Sequence, residues 1–423
     1  MKKMVTAIVG CGNIAAFYCN AIRRHSILDF AGVMDRKPDR SALYASYYSV
    51  HQYDSLEEIL NDPKVELIIN LTSPRSHYAI SKAALEAGKH VYSEKPMAMS
   101  FHEAQELVRL AEKKGLVIAS APSRILAETA QTVWKALRED VIGKVYAAYA
   151  EMDGGLIYRT GYKQWTNQLG IPWSYQDEFS TGCTVEHAGY AVSWLSAFFG
   201  PVDTVTSFGT RQVMDIGCQL DSETMPPDLT VACMKFKSGI VARLTSSWIA
   251  TPDHSLRIFG DTGVLSTGDL WAPKCPVVIT RSKSVKIGPK TITFPWRNKL
   301  PLASPPKPPA DMSRIISTPN AMIRTLKCRL HHFKKRVDFC IGPVEVAASI
   351  REGRPCRLSS DYCLHNTEIV LAIHNSSPSG SNHKVTTSFN PMEPMPWALS
   401  QETNEIRPHH IGKKRRVLHP QNA

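Results

Sequence analysis

Four residues of this chain have the types that proton transfer at an oxygen needs: Lys95, Glu186, His187 and Tyr190. Lys95 stands in Ser93-Glu94-Lys95-Pro96, just after a short apolar run. A lysine fixed there by the following proline can donate to a hydroxyl or carbonyl oxygen, and its charge lowers the pKa of a neighbouring acid. Taken alone, Lys95 favours an exposed surface position. Glu186, Tyr190 and His187 fall at about 0°, 40° and 100° around a helix that advances about 100° per residue. They share one face, with Tyr190 between the other two. If that face meets Lys95, the ammonium favours the phenolate, and a tyrosine with a free pKa of about 10 becomes a general acid or base nearer neutrality. His187 titrates near neutrality unaided and is the second candidate. Glu186 would orient its neighbours or bind a substrate hydroxyl. Each residue also has a plainer reading: Tyr190 as a buried aromatic with its hydroxyl bonded, and His187 as a structural or substrate-binding imidazole.

A second constellation lies at the N-terminus. Residues 5–15 read VTAIVGCGNIA, a β-branched run that passes straight into Gly10, Gly12 and Ala15, and Asp35 follows the next apolar stretch. This is the spacing of a dinucleotide-binding βαβ unit. Gly10 makes the tight turn out of the strand, Gly12 lets the backbone approach a pyrophosphate, and Ala15 lets the helix pack close to the sheet. The amides of Asn13 and Ile14 would point at the phosphates from a helix N-terminus. Asp35 sits where a carboxylate accepts from the adenosine ribose hydroxyls, which favours NAD because a 2′-phosphate would be repelled. Arg36 could stack on adenine or contact that phosphate, so NADP stays open.

With these residues in place the chain resembles the Gfo/Idh/MocA family of oxidoreductases. GCGNIA, AALEAGKHVYSEKPMA and GDTGVL carry the resemblance, which runs from about residue 4 to about residue 374. It implies an N-terminal Rossmann domain and a C-terminal domain built on a large open sheet. It implies oxidation or reduction of a hydroxyl or carbonyl on sugars, cyclitols and related polyols with NAD(H) or NADP(H). It implies that Glu94 and Lys95 line the nicotinamide site, that the Lys95–Pro96 bond is cis, and that Thr72 and His77 border the cofactor. The family's proline directly after that threonine is displaced here, with Ser73 first and Pro74 second. The family's second signature is an aspartate, a glycine two residues on and a histidine four residues on. Here Glu186, Ala188 and Tyr190 occupy those places. Some relatives are similar in placing tyrosine at the last.

The elements that must position these residues follow from the apolar periodicity. Strands are expected at 5–9, 30–34, 67–71, 90–92 and 117–119, with helices at 15–24, 56–61, 76–87 and 100–114. That alternation predicts a parallel, doubly wound sheet. Ser100 with Glu103 is a capping box, and Gly88 suits a helix C-cap. After a helix at 127–138, period-two segments dominate from 145 to 292, interrupted by a helix near 184–199, which predicts a mainly antiparallel sheet. Residues 295–320 are proline-rich and read as an extended or lid-like loop. Residues 320–352 read as a helix with a basic face, and 360–374 as a further helix. The expected fold class is therefore α/β, a Rossmann domain over 1–124 joined to an α+β domain over 125–375. A mostly irregular tail over 376–423 packs locally around Trp397. Arg124, Glu151 and Asp153 are weaker candidates for substrate contact, and Tyr158, Tyr162, Lys163 and Trp165 form a loop that could cover a sugar.

Composition narrows the function classes. At 423 residues with 43% apolar side chains, the chain can bury a large core. No apolar run is long enough to span a bilayer, and the short N-terminal one is already the first strand, so no membrane partner and a cytoplasmic location are expected. The ten cysteines lack metal-finger spacing; reduced core thiols are expected, with Cys11, Cys19, Cys183 and Cys233 in apolar surroundings, and no metal site. The net charge of +12 gathers after residue 280, in Arg324 to Arg336 and Lys413 to Arg416. It reads as a solvated basic surface and tail, or else as attraction of an anionic substrate such as a phosphorylated or nucleotide-linked sugar. No motif for nucleic acid is present. The family resemblance implies a homo-oligomer, with the open sheet of the second domain as the face that could pair. A cofactor-binding sensor that has lost turnover is the alternative to an enzyme, supported by the altered aspartate–histidine signature.

Overall fold

The computed structural model describes residues 2–220, 225–287, 290–305 and 337–399. The basic runs at 324–336 and 413–416, the later part of the proline-rich stretch and the end of the tail lie outside the described residues.

The first layer is a six-stranded sheet. Strands β1 (Met4–Val9), β2 (Leu28–Met34), β3 (His51–Gln52), β4 (Leu67–Asn70), β5 (His90–Ser93) and β6 (Ile118–Ser120) lie in the order β3-β2-β1-β4-β5-β6, all paired in parallel. Ile8, Ile68, Ile69 and Val91 are fully buried because helices cover both faces. The crossover helices are α1 (Ala15–Ile22), α2 (Pro38–Tyr48), α3 (Leu56–Asn61), α4 (His77–Glu86) and α5 (Phe101–Lys114). The Ser100 hydroxyl accepts from the Glu103 amide at 3.2 Å to start α5, and Gly115 closes it in the left-handed conformation. The element pattern missed α2 and the two-residue β3. The buried face of α2 is Ser41, Tyr44, Ala45 and Tyr48, too polar to register as an apolar stripe.

The second layer is a nine-stranded sheet. It contains β7 (Val145–Asp153), β8 (Val202–Thr210), β9 (Leu229–Phe236), β10 (Val241–Ser247), β11 (Leu256–Gly260), β12 (Gly263–Thr267), β13 (Val277–Ile287), β14 (Lys290–Leu300) and β15 (Ser381–Lys384). The order is β14-β13-β12-β11-β7-β10-β9-β8-β15, with β7 and β10 parallel and the other neighbours antiparallel. One face is covered by α8 (Gly189–Phe199) and α10 (Ser360–His374). Helix α6 (Glu128–Arg138) leads in from the first layer, and α7 (Tyr175–Thr181) precedes α8.

Several expectations are corrected. Residues 295–300 are not loop but the end of β14, an edge strand where Pro295 costs no ladder bond in the sheet interior. Of the helix expected over 320–352, the described part begins at Ile341; α9 (Ile341–Glu352) packs against β5 and β6 of the first sheet, and Arg351 meets Glu66 at 2.6 Å. The stretch after Ser376 is more than an irregular tail: β15 adds to the edge of β8, and Val385, Phe389 and Met392 are buried. Cys233 is exposed on the outward side of β9, whereas Cys11, Cys19 and Cys183 are buried; all nine described cysteines are free thiols.

Candidate active site

The glycine loop leaves β1 at the point where neighbouring crossovers diverge, the usual ligand crevice of a doubly wound sheet. Gly10 has φ +100°, and a Cβ there would stand 2.6 Å from the Leu71 carbonyl carbon and 2.7 Å from the Thr72 nitrogen. A Cβ on Gly12 would meet nothing within 4 Å, so this backbone is open to a ligand. Ala15 is fully buried against the sheet. Asp35 holds the loop: its Oδ2 accepts from the Cys11 amide at 2.7 Å and its Oδ1 from Lys37 at 2.8 Å. Each carboxylate oxygen keeps a further lone pair for a ribose hydroxyl. Arg36 is exposed beside it. The open face of the turn leaves room for a dinucleotide pyrophosphate, which the backbone of Gly12, Asn13 and Ile14 could hold, with Asp35 able to accept from a ribose hydroxyl.

A segment of the second domain clasps the same loop. Asn167 donates to the Asn13 carbonyl at 3.1 Å and to the Tyr44 hydroxyl at 2.8 Å, and Tyr44 donates to the Gly12 carbonyl at 2.7 Å. The Asn13 side chain returns a bond to the Ile171 carbonyl at 3.0 Å. Nothing in the local sequence around Asn167 signals this long-range contact.

Thr72 and His77 stand behind the crevice. The Thr72 hydroxyl donates to Asn70 Oδ1 at 2.7 Å, just before the turn of helix that starts at Pro74. His77 is fully buried, with Nδ1 2.7 Å from the Pro96 carbonyl and Nε2 3.0 Å from the Thr72 carbonyl. Burial lowers its pKa, and a neutral ring donates to only one of the two. His77 therefore braces the loop after β4 against the loop after β5. In that second loop Glu94 accepts from the Tyr18 hydroxyl at 2.6 Å and from the Lys95 amide at 3.0 Å, and the Lys95–Pro96 bond is cis.

Glu186 and His187 lie on a π-helical turn, Thr184–Ala188, that runs into α8 at Gly189, so the angles of a regular α-helix do not apply here. Wide turns of this kind recur at functional sites. The carboxylate of Glu186 is ion-paired with the Lys95 ammonium, and both side chains are largely buried. Burial alone would lower the Lys95 pKa, but the charges of Glu186, Glu178, Tyr190 and Glu94 hold it above the usual lysine value. Glu186 is pushed well above the carboxylate range by burial and by Glu178, against the pull of Lys95. Glu178, on α7, was missed; it also accepts from the Trp173 indole at 3.1 Å.

Tyr190 is partly exposed at the start of α8, and among the described residues no hydrogen bond ties down its hydroxyl. Burial raises its pKa above the free value, and Lys95 opposes the rise. In the protein alone burial wins, so the phenol is protonated at neutral pH. His187 is driven the other way, well below the usual histidine value, by burial and then by Lys95 and His254. It is a neutral imidazole at neutral pH and cannot serve as a ready proton donor. Its ring lies so close to Gly154, at the end of β7, that a Cβ there would stand 3.1 Å from Cε1. Trp271 closes the cluster, 5.0 Å from the His187 ring and 5.6 Å from Tyr190.

The weaker candidates fall elsewhere. Arg124 is buried, donates to the Asp338 carbonyl at 3.1 Å and lies over the Phe339 ring. Glu151 pairs with Arg243 at the sheet. Asp153 accepts from Ser247 at 2.6 Å. Tyr158 and Tyr162 are buried among Phe179 and Trp248 as a small second core, while Lys163 and Trp165 are exposed.

Comparison with known proteins identifies the two domains. A model of an oxidoreductase family with an NAD-binding Rossmann fold matches residues 4–121, and that of the GFO/IDH/MocA C-terminal domain matches residues 130–266. An uncharacterised oxidoreductase of Escherichia coli is 35% identical over 117 residues, 28% of this chain and 33% of that protein. The NADP-dependent scyllo-inositol 2-dehydrogenase of Bacillus subtilis is 28% identical over 152 residues, 36% of this chain and 40% of that protein. The chain thus spans between a third and about half of the curated relatives it first matches. The crystal structure of the aldose-aldose oxidoreductase of Caulobacter crescentus with glycerol superposes with a TM-score of 0.67 at 16% identity, over 90% of this chain and all of that one. The two matched domains take in more than half of the sequence. The chain belongs to the GFO/IDH/MocA family of oxidoreductases and carries that family's NAD-binding Rossmann domain.

Proposed function

We propose that the protein is a nicotinamide-dependent oxidoreductase acting on a hydroxyl or carbonyl carbon of a sugar, cyclitol or nucleotide-sugar-like substrate. The observation that carries this reading is the ion pair of Lys95, from the cofactor domain, with Glu186 of the second domain, four residues before Tyr190, whose phenol burial raises in pKa and the Lys95 charge pulls back down. A bound nicotinamide dinucleotide would supply or accept the hydride. Lys95, with three N–H donors and one carboxylate partner, has donors left to polarise a substrate oxygen. Tyr190 exchanges the proton of that oxygen. Glu186 holds the ammonium in place, and His77 fixes the two loops that carry it. Glycine-loop backbone and Asp35 hold the dinucleotide. Nine free thiols fit a reducing compartment such as the cytoplasm.

The test is a fluorescence titration with NADH and NADPH, followed by an absorbance screen of sugars, cyclitols and nucleotide sugars. Turnover of any of these supports the enzyme; tight binding with no turnover across the panel moves the reading to a cofactor-binding regulator. NADH is expected to bind tighter than NADPH, because Asp35 repels a 2′-phosphate. Asp35→Asn keeps an acceptor for the Cys11 amide but removes the charge. It is expected to shrink the NADH preference by about tenfold, the scale of one relieved like-charge contact. An unchanged ratio would show that Arg36 and its neighbours, not Asp35, set the preference.

We also infer that two copies pair through the uncovered face of the nine-stranded sheet. Tyr149, Phe208 and Val241 project from that face, with exposures of 40%, 39% and 44%. They alternate there with Arg243, Arg257 and Lys235, so the face offers both apolar and charged groups to a second copy. Sedimentation should give a dimer at micromolar concentration, and Val241→Lys should shift it toward monomer. A wild-type protein that sediments as a monomer rules this pairing out.

A further inference from the structure

Tyr44, on α2, and Asn167, in the loop before α7, have no part in the chemistry proposed above, yet together they hold the carbonyls of Gly12 and Asn13. The Tyr44 hydroxyl donates to the Gly12 carbonyl at 2.7 Å. Asn167 Nδ2 donates to the Asn13 carbonyl at 3.1 Å and to the Tyr44 hydroxyl at 2.8 Å. The other end of the same side chain is equally engaged. Asn167 Oδ1 accepts from the Leu169 amide at 2.9 Å and the Ile171 amide at 3.1 Å, inside a tight turn closed by the Thr166–Pro172 bridge. Both donors and both acceptor positions of the side-chain amide are therefore used, which fixes its orientation. Tyr44 is fully buried and Asn167 nearly so. Gln168 pins the turn to α1, exchanging hydrogen bonds with the Asn20 side chain at 3.0 and 3.2 Å.

We infer that Asn167 and Tyr44 are positioning residues for the cofactor: they aim the Asn13 and Ile14 amides at the pyrophosphate, so that the second domain completes the dinucleotide site. The inference rests on the dinucleotide reading of the glycine loop and deepens it. In a planar trans peptide the C=O of one residue points opposite the N–H of the next. Holding the Gly12 carbonyl therefore directs the Asn13 amide to the other side, and holding the Asn13 carbonyl directs the Ile14 amide. These are the two amides that the spacing at 10–15 assigns to the phosphates. Neither donates to a protein acceptor among the described residues. Gly12 has the conformational freedom of a glycine and open space around its α-carbon, so the local backbone does not fix this peptide by itself. A carbonyl turned into the crevice would set partial negative charge against the pyrophosphate. Without the clasp the free protein would spend part of its time in a form that cannot bind, and the apparent affinity falls with the competent fraction.

The test is a fluorescence titration with NADH and its displacement by ADP and by adenosine. ADP carries the ribose and the pyrophosphate, adenosine the ribose alone. Tyr44→Phe removes the hold on Gly12 without adding charge. It is expected to weaken NADH and ADP by about tenfold, the scale of one lost hydrogen bond, which corresponds to a loop competent about a tenth of the time. Adenosine should bind as it does to the wild type, because Asp35 and not the amides meets the ribose. A loosened fold would weaken all three alike, so this split separates positioning from scaffolding. Asn167→Asp keeps an acceptor oxygen for the Leu169 and Ile171 amides and loses both donations. It should show the same split, enlarged by repulsion between the new carboxylate and the phosphates, and it serves if the tyrosine variant does not fold. A folded variant that binds NADH as tightly as the wild type, or that loses adenosine by the same factor as ADP, would overturn the inference and leave the cofactor reading standing. A wild type that binds neither NADH nor ADP would defeat that reading and the positioning role with it.

Discussion

Replacing Tyr190 with phenylalanine is expected to slow hydride transfer by roughly 100- to 10,000-fold, the range for loss of a positioned general acid or base. Cofactor affinity and thermal stability should stay close to wild type, because the ring and its contact with Trp271 remain. The sign of the pH dependence follows from the raised pKa of the phenol. Burial keeps Tyr190 protonated through neutrality, so it can donate to the oxygen of a carbonyl being reduced. The reductive rate should therefore be flat through neutral pH and fall only as pH passes the raised value. The oxidative rate needs the phenolate and should climb about tenfold per pH unit below it. Single-turnover rates in both directions, with and without the hydroxyl, measure this. If the phenylalanine variant keeps the wild-type rate and profile, the proton goes elsewhere. His187, with its lowered pKa, would then announce itself by a break below about 6.5.

Much of this site was legible in the sequence because its parts are local. Gly10, Gly12, Ala15 and Asp35 obey the geometry of one βαβ unit, so their spacing alone predicts the strand, turn and helix they occupy. Ser93 to Pro96 follows a strand end and lies where open sheets bind ligands. The face expected for Glu186, His187 and Tyr190 assumed a regular α-helix, and the π-helical turn at Thr184–Ala188 is not visible in local spacing. What spacing could not carry was long-range. His254 and Trp271 reach the site from strand-flanking loops far along the chain, Glu178 from a separate helix, and Asn167 clasps the glycine loop across the domains. The sign of the Tyr190 shift was equally hidden. Lys95 does pull the phenol toward ionisation, but only the folded burial shows that desolvation outweighs it.

Lys95→Met is expected to lower turnover by about 100- to 1,000-fold, the loss typical of removing one donor to a developing oxyanion. It should also move the oxidative pH profile upward, because Lys95 is what holds the Tyr190 pKa down against burial. Stability gives an independent readout. The variant leaves Glu186 buried without its cation, and an unpaired buried charge costs about 3–5 kcal/mol. Glu186 can avoid that by keeping a proton, since its pKa is already raised by burial and Glu178. A carboxyl whose folded pKa exceeds its unfolded one makes the native state bind more protons, so stability falls as pH rises from the unfolded carboxylate value toward the folded one. The deficit of Lys95→Met should thus be small in acid and grow toward neutrality. Adding Glu186→Gln should remove that pH dependence and restore much of the stability, yet leave turnover lost. Full turnover in a folded Lys95→Met protein would take the lysine out of the mechanism. A deficit that shrinks toward neutral pH would show that Glu186 is not the group left uncompensated.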